Sequence, residues 1–507
     1  MMNNYKIGDR VQIGADLCTI KYSGEIDKWP GSITYGLEWD NPTRGKHSGS
    51  YNGHQLFHTS VAGSGSFIKR TVLLKKSVPN KTMWEALQEV YGTSNESISE
   101  DNTDITFNKK HVESFGFQRL NNMNSDYWKL KIISLNKKNI SKISDPNIDG
   151  KVTLDVKCLD LGFNCFSDIS ELTKFAECCP DLQELNLSGN RFSINNYDHS
   201  KIVTVTQVKK LFIASCNIGK DSLSLVLKLF PNLEFLDLSL NRLTDDDITD
   251  MPFPKNLKEL ILSDNKFKNV PTNKSLLRLQ YLDLSFNLIE LPLKSYNIFK
   301  TLLTLDISNN KISSWAVIDQ INIIFPVLNT IKINKNPIVG SLEEQDRDDD
   351  TTYYQVIARL GKIKHIDGLF ISGELRETAE SYFMFNIYKK NYVMGTNLER
   401  WDYLSVHYQN QPKPRLISSS NTFLSDSILR LNIRDVTGSQ NFTVYMLDIR
   451  SVRVLKGKIA SLTHSCILSI KLYLSDSLNG KQYLDKDFVR IKDYYITSGC
   501  DIYYEQI

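Results

Sequence analysis

The fold class expected from the sequence is a multidomain α/β chain, and three observations point to it. A leucine pattern recurs at a near-constant period from Leu130 to Ile338. A glycine- and aromatic-rich stretch lies ahead of it, around residues 35–68. A third pattern, with strand-like alternation, starts at Ile428. At 507 residues the chain has room for about three domains. Its apolar fraction of 41% and charged fraction of 23% are ordinary for soluble globular protein. A net charge of +3 gives no general reason to expect a nucleic-acid partner. There is no apolar leader and no run of eighteen apolar residues, so neither secretion nor a membrane span is expected. Eight cysteines are scattered without a CxxC pair, and reduced buried thiols in the cytoplasm are the simplest expectation. The Asn186-Leu187-Ser188 sequon falls inside a repeat strand, which argues against a glycan there.

The N-terminal stretch Gly45-Lys46-His47-Ser48-Gly49-Ser50-Tyr51-Asn52-Gly53 packs three glycines and one lysine into nine residues, between Trp39 and Phe57. Glycines allow a turn with positive φ and leave space for an incoming chain. A lysine beside exposed backbone N–H groups offers a socket for a carboxylate. Neighbouring aromatics suit an apolar or aromatic terminal side chain. Residues 1–76 hold ten Lys/Arg against six Asp/Glu, which suits an acidic partner. A solubilising surface would look the same, and a lone Gly-Lys pair is more often a tight turn. The wider context, Tyr35-Gly36-Leu37-Glu38-Trp39 before the loop and Gly63-Ser64-Gly65-Ser66-Phe67-Ile68 after it, resembles the CAP-Gly domain. That resemblance implies a small SH3-like β-barrel over residues 1–78 that binds acidic C-terminal tails of tubulin and end-binding proteins. The family signature is GKNDG and this chain reads GKHSG, with His47 in place of Asn and Ser48 in place of Asp. It implies a tail-binding set of Trp39, Gly45, Lys46, His47, Ser48, Gly49, Phe57 and Phe67.

Residues 79–128 read as a helix and linker. Thr82-Met83-Trp84-Glu85 forms a capping box, Trp84, Leu87 and Tyr91 share a helical face, and Gly92 ends the helix. Residues 93–104 are polar and read as a flexible linker.

The pattern LxxLxLxxNxL then fills residues 129–400 together with its cap. The Asn slot is occupied by Lys138, Asn164, Asn190, Cys216, Asn241, Asn265, Asn287, Asn310 and Asn336, at spacings of 26, 26, 26, 25, 24, 22, 23 and 26. This is the leucine-rich-repeat period and predicts an α/β solenoid. Inward leucines of each short strand stack on those of the next coil, because no single repeat buries its own apolar face. The Asn amide satisfies backbone groups where the coil turns. Lys138 marks an atypical first copy. The outward strand column is Ser134, Asp160, Asn186, Phe212, Asp237, Ile261, Asp283, Asp306 and Lys332. Its aspartates are compatible with a basic partner, and equally with a common repeat consensus. The acidic run from Glu343 to Asp350 reads as a solvated insertion. Residues 356–368, followed by helical spacing through Leu375, Ala379, Tyr382 and Phe383, resemble the C-terminal cap of intracellular repeats.

Residues 401–427 read as a second linker. From 428 to 507, Leu429, Leu431 and Ile433 alternate as a strand, Phe442 and Val444 suggest another, and Val452, Leu455, Ile459 and Leu462 sit at helical spacing. Ile467 to Leu474 is strand-like, Asn479-Gly480 turns, and a strand ends at Tyr504. This ββαβ…β order resembles an α+β ubiquitin-like domain. The chain ends Glu505-Gln506-Ile507 without Gly-Gly, so a docking module is expected rather than a conjugated one.

No P-loop, GxSxG, HExxH or dinucleotide fingerprint is present, so neither enzymatic activity nor a cofactor is expected. His47, His54 and His58 lack interleaved Cys or carboxylate ligands, so no metal site is expected. The three modules in this order resemble the tubulin-specific chaperone E family, also called tubulin folding cofactor E, across nearly the whole chain. The segment His111-Val112-Glu113-Ser114-Phe115-Gly116-Phe117 is also similar. The resemblance implies a cytoplasmic, cytoskeleton-associated chaperone that captures α-tubulin. It implies action with tubulin cofactors B, C and D, the last carrying β-tubulin, in assembling and dissociating the αβ-tubulin heterodimer. For the ubiquitin-like domain it implies help with the chaperone supercomplex, or contact with the proteasome. Two alternatives stay open: a CAP-Gly microtubule-associated adaptor, and a ubiquitin-pathway adaptor for tubulin. The absence of a long heptad segment disfavours the first. Deletion of residues 425–507 is expected to leave the melting of the repeats nearly unchanged, measured by calorimetry; a large loss would overturn the linker reading.

Overall fold

The computed structural model describes residues 5–92, 106–107, 110–111, 127–143, 153–192, 203–271, 273–290, 298–339, 349–395, 397–408, 428–436, 441–447, 450–463, 465, 467–476, 480–485, 487, 489–494, 496–497 and 499–506. The expected linker 93–104, residues 409–427 of the second expected linker, most of the segment from His111 to Phe117, most of the acidic insertion and Asn479 lie outside the described residues. The chain divides into two units, Met1–Asn410 and Gln411–Ile507.

The first unit opens with an antiparallel five-stranded sheet in the order Gly65–Lys69, Thr34–Trp39, Asp16–Gly24, Arg10–Ile13 and Ser77–Val78. Val11, Ile13, Cys18, Ile20, Tyr35, Leu37, Trp39 and Leu73 form its core. Strand Thr34–Trp39 is buried on both faces, as a central barrel strand should be. A small hairpin, Ser50–Tyr51 with His54–Gln55, stands apart and carries the glycine loop.

The barrel is fastened to the repeats by polar contacts. Arg10, only 1% exposed, donates from both terminal nitrogens to Asp40 at 2.6 Å and to the Gly189 carbonyl of the solenoid at 3.1 Å. Arg191 reaches the same Asp40 carboxylate at 3.1 Å. Asn139 donates to the carbonyls of Val78 and Pro79, and Lys81–Thr82 pairs in parallel with Ile140–Lys142. The capping box forms: Thr82 N–H donates to the Glu85 carboxylate at 2.6 Å and Glu85 N–H donates back to Thr82 Oγ1 at 3.2 Å. Helix Met83–Tyr91 buries Met83, Ala86 and Leu87, while Trp84 stacks near Trp128 at 5.9 Å. The buried face is therefore one position off the expected Trp84-led stripe. Lys81–Thr82 pairs with a strand of the solenoid, and the expected helix follows it over Met83–Tyr91.

The solenoid is an eleven-stranded sheet whose first ten strands, from Ile132–Ser134 to His365–Ile366, run parallel in register. Leu159, Leu185, Leu211, Leu236, Leu260, Leu282 and Leu305 stack along its dry interior. Each slot Asn bonds across two coils. Asn287 accepts from Phe267 N–H at 3.0 Å and donates to the carbonyls of Leu262, Leu284 and Ser285. The Cys216 thiol donates toward the Leu187 carbonyl across the coil and the Ala214 carbonyl within it. The residue before each slot adopts positive φ in every copy, including Phe163, Leu240 and Phe286 at 55°, 59° and 56°. A left-handed backbone disfavours such side chains by about 1–2 kcal/mol each, so the bond network of the slot sets the turn. The outward aspartates also have a local task. Asp160, Asp237, Asp283 and Asp306 each accept the N–H two residues on, at 2.8 to 3.0 Å. That geometry accounts for the Leu-Asp-Leu-Ser pattern without a partner.

The solenoid ends on a buried ion pair. Arg359 donates to both oxygens of Asp319 at 2.8 and 3.0 Å, between the rings of Trp315 and Phe383. Helix Gly373–Tyr388 packs on Asp349–Arg359, as the expected cap. The expected linker start at residue 401 is corrected: Leu398–Tyr408 is a helix. Trp401, Leu404 and Tyr408 are buried against Ala358, Phe383 and Met384, and Tyr408 Oη donates to Glu380 at 3.0 Å.

In the second unit the strand order is Asn441–Leu447, Ile428–Asp435, Asp501–Gln506, Ile470–Asp476 and Gly480–Tyr483, with the middle pair Ile428–Asp435 and Asp501–Gln506 parallel. Helix Val452–Thr463 presses Val452, Leu455 and Ile459 onto Leu431, Ile433, Leu472 and Ile502. This is the ubiquitin-like arrangement. Leu462 is exposed, and Ile467–Ser469 is a helical turn ahead of its strand. No helix among the described residues is long and apolar enough to cross a membrane. Replacing Asn287 by Ala orphans several buried carbonyls and is expected to lower stability by about 2–4 kcal/mol in chemical denaturation. Asn287→Cys should lose less, since a thiol fills the same slot at Cys216.

Candidate functional site

The glycine loop is shaped by its own backbone. Lys46 and His47 N–H donate to the Gly65 carbonyl at 2.7 and 3.2 Å, and Gly65 N–H donates back to His47 O at 2.7 Å. Gly49 sits at φ 98°, where Leu56 and Phe57 N–H reach its carbonyl at 3.0 and 3.3 Å. A Cβ there would strike the Phe57 carbonyl, so glycine is required on two counts. Ser48 Oγ accepts from Gly63 N–H at 2.9 Å and Ser48 O accepts from Gln55 Nε2 at 2.9 Å. The expected free backbone N–H groups at Lys46, His47 and Gly49 are thus engaged within the module.

His47 has an unexpected part. Gly49 N–H donates to its Nδ1 at 3.0 Å, which leaves the ring proton on Nε2. Burial holds its pKa below the usual histidine range, so the neutral ring is favoured. The ring lies 4.7 Å from Phe67 at a 32° tilt. Phe67 is the hub of an aromatic cluster: Phe57 meets it edge-on at 5.5 Å, and Tyr22 and Tyr51 at 6.2 Å each. Lys46 is exposed at the rim and forms no ion pair among the described residues.

The structure therefore brings together His47, Phe57 and Phe67, framed by Gly45, Lys46, Ser48 and Gly49. Trp39 stands apart from them. It is 7% exposed, belongs to the barrel core, donates from Nε1 to Ser66 Oγ at 2.8 Å and lies under Arg44 at 4.9 Å. Sequence reasoning missed Tyr22, which pairs opposite Gly36, and gave Tyr51 no role. A cross-strand register was needed to find the first.

The loop is carried close to the solenoid. Glu38, 3% exposed, accepts from Ser60 N–H at 2.6 Å and pairs with Lys21 at 3.3 Å, which fixes the 59–64 segment. Asn217 of the repeats donates to Ser60 Oγ at 3.0 Å. Among the described residues no group of His, Cys, Asp and Glu has the arrangement of a metal site.

Comparison with known proteins gives consistent findings. The CAP-Gly domain model matches residues 7–73, and a leucine-rich-repeat model matches residues 231–250. Protein PAC2 of Saccharomyces cerevisiae is 31% identical over 98% of this chain and 96% of its own. Tubulin-specific chaperone E of Bos taurus is 25% identical over 97% of each chain. The C-terminal ubiquitin-like domain of mouse tubulin-specific chaperone E covers 18% of this chain and 95% of that one, at 19% identity and TM-score 0.16.

Two outcomes are expected. Asp40→Ala strands the fully buried Arg10 charge and should cost about 3–5 kcal/mol, seen as a lower denaturation midpoint. Because the folded pKa of His47 is lowered, the unfolded chain binds the extra proton as pH falls. The stability that neutral His47 contributes is present above the ordinary histidine value and is lost as the pH falls below it. His47→Asn should flatten that part of the stability profile in denaturant titrations.

Proposed function

The chain belongs to the tubulin-specific chaperone E family, and from that premise we propose that its glycine loop captures the acidic C-terminal tail of α-tubulin. Its function is that of a tubulin-folding cofactor. The observation that carries the tail reading is the aromatic cluster around Phe67, closed by the Gly45–Gly49 loop with Lys46 unpaired at its edge. An aromatic or apolar terminal residue of the tail packs against Phe67, Phe57 and Tyr51. With the loop N–H groups engaged, its carboxylates are met by the Lys46 ammonium and the Nε2–H of His47. Ser48 and the three loop bonds hold this arrangement before the ligand arrives, which reduces the ordering cost of binding.

The folded body of tubulin is assigned to the solenoid, whose parallel sheet offers a long surface beside the loop. Tubulin cofactors B, C and D join through the assembled complex, with β-tubulin carried by cofactor D. The ubiquitin-like unit docks a partner without conjugation, the proteasome among the candidates. The family relationship supports this scheme, and it supports a non-enzymatic role in the cytoplasm at the cytoskeleton.

Titration of the full chain with an acidic tail peptide tests the site. Lys46→Ala should weaken binding by about 1–3 kcal/mol, and affinity should fall with rising salt and with removal of the terminal aromatic residue. Unchanged affinity after both changes would end the tail reading.

A further inference from the structure

We propose that the solenoid contributes a second cation, Arg242, to the acidic-tail site, so that the site spans two modules. The inference rests on the tail reading of the glycine loop. A short chain of contacts leads from the loop to this residue. Ser48 Oγ holds Gly63 N–H at 2.9 Å. Three residues earlier, Ser60 Oγ accepts from Asn217 Nδ2 at 3.0 Å. Asn217 Oδ1 in turn accepts from Arg242 Nη1 at 3.4 Å. Ser60 and Gly63 are at most about 10 Å apart along the chain, a span that an extended peptide covers in about three residues.

Three arginines near the loop, Arg10, Arg44 and Arg191, are each engaged by a carboxylate, and Arg242 is not. Arg10 and Arg191 share the Asp40 carboxylate, Arg44 pairs with Asp16 at 3.1 Å, and Lys21 pairs with Glu38. Arg242 is half-buried and pairs with no carboxylate among the described residues; Lys46 is in the same position. A peptide with several carboxylates that enters at Lys46 and runs toward the repeats therefore meets Arg242 next. Its guanidinium can take an upstream carboxylate in a two-pronged bond.

The backbone gives a separate indication. Asn217 and Arg242 follow their slots with φ of 50° and 63°. Only Asn139 does the same at that position among the described repeats, and it too bonds the N-terminal segment. Cys165, Arg191, Lys266, Leu288 and Lys311 occupy the position without it. Left-handed backbone at non-glycine residues is retained where surroundings demand it, and here it sits where the module meets the solenoid.

The test uses the full chain and two fluorescent peptides with the same aromatic C-terminus. One carries upstream glutamates and the other carries glutamines in their place. Arg242→Ala and Arg242→Gln are each expected to weaken the glutamate peptide about five- to tenfold and to lessen its salt dependence. Neither should change binding of the glutamine peptide, and Arg242→Lys should restore part of the loss. If both variants bind the glutamate peptide like the wild type while Lys46→Ala does not, the tail reading stands and the role of Arg242 falls. If the wild type binds neither peptide, both fall. Two variants that melt like the wild type exclude a folding defect as the cause; equal losses on both peptides would overturn the proposal as well.

Discussion

The Asp40 carboxylate is the constraint on which the arrangement of the first unit depends. It lies where a wholly buried barrel arginine and a solenoid arginine converge. Burial alone would pull Arg10 toward its neutral form, yet the carboxylate more than offsets this and its pKa is raised. Arg191, further from compensation, is pulled down by burial. A buried ion cluster of this kind is a modest source of net stability and a strong source of specificity, since any other docking leaves a charge without a partner. Gly189 completes it. Its carbonyl takes the Arg10 bond, and a side chain there would meet the Phe163 ring. The barrel is therefore seated in one register on the repeats, and the glycine loop is carried to a defined place along them.

The repeats were legible because their physics is periodic. Inward leucines and the slot Asn recur at a spacing that only a stacked coil explains, and Cys216 and Lys138 were recognisable departures. The capping box at Thr82 was equally local and equally readable. The joint was not, because Arg10 and Gly189 are separated by 179 residues and Ser60 and Asn217 by 157. No spacing announces such pairs. The helix Leu398–Tyr408 did carry a signal, in Trp401, Leu404 and Tyr408 at helical intervals, but the prolines and polar cluster just beyond drew the boundary too early. Phe163, Leu240 and Phe286 are poor choices for left-handed backbone on their own, so the turns they make are imposed by the array.

In the loop itself, the structure gathers most of the residues the sequence singled out, and places others differently. Trp39 looked like part of a ligand pocket and is a core residue. The free N–H groups that a glycine-lysine pair suggested are engaged in bonding the loop to Gly65. What the proposed site has left is side-chain chemistry: one ammonium, one imidazole N–H and an aromatic cluster. The buried thiols fit the same picture of a quiet interior, since burial raises the pKa of Cys18, Cys165 and Cys216 and keeps them protonated.

The long separation within the joint also governs the order in which the chain acquires its shape during synthesis. Arg10 and Asp40 are 30 residues apart and can pair as soon as the barrel emerges. The Gly189 carbonyl and Arg191 arrive only after about 150 further residues, which takes on the order of ten seconds at ribosomal rates. Through that interval the barrel holds a charged seam with no counterpart, and its glycine loop already exists. The nascent barrel thus presents its glycine loop before the surface that fixes its bearing has been translated. Closure of the seam by the third and fourth repeats marks the moment at which the barrel and the repeats become one unit.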